Sequence, residues 1–165
     1  MGTKETYDKL LKLIYRDADC FGEDISMTKR KLELIKVLQG LGLFCFYDNQ
    51  YLAPAVSYRG HKFVFDMVEP HQLGFYADIA SFDMDDYDVK CELYDTFNNI
   101  NWSQFLAYIY EVEGNIVVSS SQYIGKRAIY SEEVAYILQA MDELLRKFHK
   151  VVKKNEYLND NVICI

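Results

Sequence analysis

Apolar and polar positions alternate along this chain with two different periods. Over residues 4–18, Tyr7, Leu10, Leu11, Ile14 and Ala18 recur at helical spacing, and Thr3 is placed to cap that helix. A polar break from Asp19 to Ser26 follows. A second helix is then expected over about 27–40, with Leu32, Ile35 and Leu38 on one face and Gly40 or Gly42 as its stop. The period now shifts to two. Leu43 to Tyr47 is a short apolar strand closed by Asp48-Asn49, and residues 51–58 are placed to pair with it. Pro54 cannot donate to a ladder and points to an edge or a bulge. Arg59-Gly60 predicts a tight turn into a strand over 61–68, and residues 72–80 alternate again through Leu73, Phe75, Ala77 and Ile79.

Helical spacing returns over 85–100 through Val89, Leu93, Phe97 and Ile100, with Asp85 or Asp86 as cap. The run Asn98-Asn99-Ile100-Asn101 ends this helix, and its asparagines are expected to serve as caps and turns. A hairpin over 104–123 follows, turning at Glu113-Gly114-Asn115. A long helix from Ser131 to about Lys153 carries the stripe Val134, Ile137, Leu138, Met141, Leu144, Leu145, Phe148 and Val151. Glu132 and Glu133 in its first turn and a basic run from Arg146 to Lys154 at its end suit the helix dipole. The expected fold is therefore α+β. Its order is α-α-β-β-β(-β)-α-β-β-α, with an antiparallel sheet of about five or six strands and helices mainly on one face.

Composition narrows the class. At 165 residues and 50% hydrophobic, with 2 Pro, the chain is expected to form one domain over 1–165. Within it, 1–25 is a helical extension, 27–153 the core and 155–165 a tail. A net charge of −7 argues against general nucleic-acid binding, which needs cations against phosphate. No apolar run approaches the roughly 20 residues that cross a bilayer, and the charged start does not resemble a signal peptide. The expectation is a cytoplasmic protein without membrane contact. Cys20, Cys45, Cys91 and Cys164 are then free thiols of a reducing compartment.

Candidate chemistry is thin. The stretch Asp83 to Asp88 fails the calcium-loop pattern, because position 5 falls on Tyr87 and position 12 on Tyr94. His61, His71 and His149 lack metal-site spacing with any cysteine. Ser119-Ser120-Ser121 lacks the setting of a nucleophile and reads as the polar end of a strand. No catalytic residue, metal site or cofactor is implied. The hairpin is more informative. Phe105, Ala107 and Ile109 share one face of its first strand, and Leu106, Tyr108, Tyr110 and Val112 the other. Two apolar faces both require cover. The N-terminal helices are the economical cover for the tyrosine face; left open, that face would make a protein contact.

The segment Leu93 to Val118 resembles the YbjN-type family, which shares the type III secretion chaperone-like fold. The likeness rests on Phe97, Asn98, Ile100 and Asn101 at the helix end and on the strand Phe105 to Ile109. It continues through Gly114, Ile116-Val117-Val118 and the helix opened by Ser131-Glu132-Glu133. Tyr58-Arg59-Gly60 with Phe63-Val64-Phe65 resembles an earlier strand pair of the family, and the likeness covers about 27–153. The resemblance implies a non-enzymatic, chaperone-like or regulatory protein of a bacterial cytosol that binds a protein or peptide, with a homodimer as one form. The site residues expected to make that contact are Tyr108, Tyr110, Leu106 and Val112. The alternative is an immunity-type protein binding a basic toxin, motivated by seven acids between Asp78 and Asp95 opposed only by Lys90. An uncharacterised enzyme ranks third.

Overall fold

The computed structural model describes residues 3–165, without the Thr3 side chain, so the capping role expected of Thr3 lies outside the described residues. The elements follow the expected order with two additions at the end. They are α1 (Thr3–Phe21), α2 (Ile25–Gly40), β1 (Phe44–Asp48), β2 (Ala53–Tyr58), β3 (His61–Phe65) and β4 (Gln72–Phe82). Then come α3 (Tyr87–Asn101), β5 (Tyr108–Val112), β6 (Asn115–Tyr123), α4 (Ser131–Lys154), α5 (Glu156–Asn161) and β7 (Val162–Cys164). The strands form a seven-stranded antiparallel sheet in the order β1-β2-β3-β4-β6-β5, with β7 paired to β4. Contacts cluster into two compact units. One takes the chain through Phe75 together with Ser121–Tyr136; the other takes Tyr76–Ser120 with Ile137–Ile165.

In the first unit, α1 lies against α2, β1 and β2, with Leu10 and Ile14 fully buried. Asp24 caps α2 by accepting the Ser26 N–H at 2.8 Å. Ile35 and Leu38 are buried along α2 as expected, but Leu34 joins them in place of Leu32, which is half-buried. The β1–β2 register pairs Pro54 with Tyr47, whereas the β2–β3 ladder begins at Ala55. Proline's missing N–H is thus never demanded by β3. Asp48 closes the β1–β2 connection by accepting the Tyr51 N–H at 2.9 Å and pairing with Lys62 at 2.6 Å.

Arg30 is the polar centre of this unit. It is buried, and its guanidinium donates to the Pro70 carbonyl at 2.9 Å, the Gly125 carbonyl at 2.6 Å and the Glu33 carboxylate at 2.9 Å. Glu33 in turn accepts the Ile129 N–H at 2.8 Å. One ion pair on α2 therefore holds two loops that are remote in sequence. Buried backbone carbonyls need such partners where no ladder reaches them.

In the second unit, Asp86 caps α3 by accepting the Val89 N–H at 3.2 Å. Val89, Leu93, Phe97 and Ile100 are its buried face. Phe97 packs against the fully buried Phe148 of α4 with ring centroids 6.1 Å apart. The stretch beyond Lys154 is ordered structure. Asn155 caps α5, which buries Leu158, and β7 pairs Val162 with Phe82 and Cys164 with Ala80.

Both expected tight turns are present. Arg59-Gly60 and Glu113-Gly114 each place two consecutive residues at positive φ, the two-residue turn that matches strand twist. The two glycines differ in surroundings. A side chain at Gly60 would meet open space, whereas a Cβ at Gly114 would sit 3.2 Å from the Phe82 carbonyl oxygen. Gly60→Ala is therefore expected to cost about 1–2 kcal/mol, the left-handed backbone penalty alone. Gly114→Ala should cost more, because the Phe82 backbone cannot yield freely. Urea denaturation midpoints of the two variants check the order. Arg30→Ala should lower stability by about 1–3 kcal/mol in the same assay, since it leaves two loop carbonyls without their donor while Glu33 keeps the Ile129 N–H and partial access to water.

Candidate functional site

The site is built where α3 hands the chain to the β5–β6 hairpin. The helix stops because the Ser103 hydroxyl and N–H both donate to the Ile100 carbonyl, at 2.7 and 3.0 Å. Gln104 then anchors the connection, donating to the Ala140 carbonyl at 2.6 Å and accepting the Leu106 N–H at 3.2 Å. The buried Ser120 hydroxyl donates to the Leu106 carbonyl at 2.5 Å. These bonds delay the strand, which begins at Tyr108.

That delay corrects one expectation. Phe105 does not share a strand face with Ala107 and Ile109; it stands in the connection and is 88% exposed. Ala107 and Ile109 are fully buried, as expected. The opposite side chains are open: Tyr108 is 51% exposed, Val112 39%, and Leu106 and Tyr110 37% each. Trp102, just beyond α3, is 83% exposed.

Beside this strand lies a cavity of about 380 Å³, lined by Tyr94, Phe97, Asn98 and Asn101 of α3 and Ile109, Tyr110 and Glu111 of β5. Its polar groups are engaged with one another. The Glu111 carboxylate accepts from the Tyr94 hydroxyl at 3.1 Å and the Gly114 N–H at 3.3 Å, with the Lys90 ammonium at 3.9 Å. The Asn101 carboxamide does not cap its helix. It donates to the Ile109 carbonyl at 2.9 Å and accepts the Ile109 N–H at 2.8 Å.

The remaining sequence candidates are dispersed or have local roles. Asp83 accepts the Asp85 N–H at 3.0 Å and Asp86 caps α3. Burial pushes the Asp78 carboxyl above its usual range. Arg146 and Lys147 pair with Asp142 and Glu143 one turn earlier on α4, at 2.8 and 3.0 Å. His61 opens β3, His71 precedes β4 and His149 lies on α4. Among the described residues, no three His, Cys, Asp or Glu side chains converge as a metal site, and no helix is long and apolar enough to cross a membrane.

No family model matches the chain, and no curated protein does. Solved structures do. YbjN of E. coli, described as a candidate transcription regulator, has 14% sequence identity and a TM-score of 0.53, with 80% of this chain and 94% of that one covered. The Yersinia pestis type III secretion chaperone SycH, solved with a stable fragment of YscM2, has 13% identity and a TM-score of 0.47, with 70% and 96% covered. The likeness to YbjN establishes a shared fold, the one the segment Leu93 to Val118 resembles.

The four cysteines divide by environment. Cys45 is buried in β1, and desolvation pushes its thiol up to about 12. Burial also raises Cys164, though less. A raised thiol stays neutral, and the neutral form is a poor nucleophile. At pH 8, a disulfide reagent should label the exposed Cys20, Cys91 and Cys164 in the native chain, Cys164 more slowly because its raised thiol is less ionised, and Cys45 only after denaturant is added. Peptide mapping of a timed labelling series checks this order.

Proposed function

We propose that this chain is a non-enzymatic, chaperone-like protein of a bacterial cytosol that binds a protein or peptide partner through the open face of β5. The contact residues are Tyr108 and Tyr110, with Leu106 and Val112 beside them. The observation that carries the reading is their exposure. Four apolar side chains on one hairpin arm stand open to water, and Trp102 and Phe105 stand open in the connection that leads to it. Apolar surface gathered in this way favours association. Tyrosine and tryptophan are also the side chains most enriched where binding energy concentrates, because each adds large area with few torsions to freeze.

The hairpin that carries this surface is braced by α3 and α4. Phe97 packs α3 against α4, and the Gln104 bond to the Ala140 carbonyl ties the connection to α4. A rigid apolar face loses little entropy on binding. The acidic stretch lends less to the immunity-type reading, since Asp83 and Asp86 serve their own backbone.

The test is affinity capture from cell extract, followed by reconstitution with the purified captured protein. The double variant Tyr108→Ala, Tyr110→Ala should keep the wild-type circular dichroism and urea midpoint. Loss of two contact tyrosines should weaken reconstituted binding by about 2 kcal/mol or more, roughly thirtyfold. Unchanged affinity together with an unchanged association state would show that this face is not the site.

A further inference from the structure

The outer edge of β5 carries a second feature, independent of the tyrosine face. β5 is the last strand in its order, so nothing pairs with it beyond β6. Its hairpin turns through two residues, with Val112 opposite Asn115 as the closing pair. In such a hairpin the pairs bonded across the ladder are Val112–Asn115, Tyr110–Val117 and Tyr108–Ser119. The alternate residues, Ile109 and Glu111, turn their N–H and C=O groups away from β6. These are the groups that an incoming strand would use.

At Ile109 both groups are already taken. The Asn101 carboxamide donates at 2.9 Å and accepts at 2.8 Å, supplying the one donor and one acceptor that a paired residue of another strand would bring. Asn101 is the last residue of α3, and that helix is fixed by the buried Val89, Leu93 and Phe97, so the carboxamide is held in place and not freely swinging. Outward positions along a strand repeat about every 7 Å. Blocking Ile109 therefore leaves Glu111 as a single outward position before the turn, too short a ladder to hold a strand.

We propose that Asn101 is an edge guard: its carboxamide fills the ladder position at Ile109 and closes the free edge of β5 to strand addition. A partner of this hairpin is then restricted to side-chain contact on the open face, and a second copy cannot extend the sheet here while the guard is in place. Tyr110 and Asn101 both line the cavity beside β5, but the guard concerns backbone groups at Ile109 and the contact concerns side chains on the open face, so either assignment stands or falls alone.

Hydrogen exchange on the full-length wild-type chain tests the guard without any variant. The outward-facing Ile109 amide should exchange at least tenfold more slowly than the outward-facing Glu111 amide; equal rates would overturn the proposal. The second arm uses Asn101→Ala and, as probe, an acetylated and amidated peptide with the sequence of residues 115–121, the natural neighbour of β5. Wild type should not bind this peptide. Asn101→Ala, with its Ile109 amide exchanging at least tenfold faster, should bind it or associate with itself as concentration rises. Peptide binding by wild type that perturbs Ile109 would sink the guard. So would a folded Asn101→Ala that neither takes the peptide nor associates. If Asn101→Ala does not fold, the wild-type exchange rates and the wild-type peptide titration decide. The tyrosine double variant should behave as wild type in both arms.

Discussion

Every ladder in this fold stops somewhere, and at each stop the backbone still carries donors and acceptors that burial would leave unpaired. Side chains meet that demand. Arg30 serves two loop carbonyls, and Glu33 serves the Ile129 N–H. Gln104 and Ser120 serve the connection into β5, and Asn101 serves its outer edge. Each bond contributes only about 1 kcal/mol net, but a buried group left without a partner costs more than that. The apolar core supplies the drive to collapse. These few polar side chains select which loop arrangement the collapse ends in.

The same division explains why the hairpin is a credible binding element. Ala107, Ile109, Ile116 and Val118 are fully buried on one side of it. The tyrosine side is therefore presented by an element whose other face is already anchored. Polar tips on Tyr108 and Tyr110 keep that side compatible with water while leaving ring area to bury. An aliphatic face of equal size would favour aggregation more strongly than recognition.

Much of this was legible from period alone. The α3 face and the α4 stripe from Val134 to Phe148 needed no tertiary information, because apolar residues at helical spacing have only one way to reach a core; at the end of α4 it is Val152 and not the expected Val151 that is buried. Arg59-Gly60 and Glu113-Gly114 were legible because glycine at the second turn position permits the positive φ that both turns adopt. Alternation also placed Leu106, Tyr108, Tyr110 and Val112 apart from Ala107 and Ile109. It could not say which face would be covered, since exposure depends on elements distant in sequence. β7 escaped notice because three residues carry no readable period. Phe105 lies outside the strand because Gln104 and Ser120 engage the N–H and carbonyl of Leu106, the residue after it. The reach of Asn101 to Ile109 was hidden for a related reason: a helix-terminal asparagine is usually a cap, and only the fold brings a strand edge within its grasp.

The Arg30 clasp has a consequence for how the chain is made. Arg30 and Gly125 are 95 positions apart, and Glu33 and Ile129 are 96 apart. A ribosome delivers the first member of each pair well before the second. Until residues near Ile129 emerge, Arg30 has no Gly125 carbonyl and Glu33 has no Ile129 N–H, so the α1–α2 unit begins life with its polar centre half satisfied. Closing loops of that length is slow compared with forming helices or hairpins. The earliest elements to appear therefore complete their polar contacts only once a segment synthesised much later has emerged.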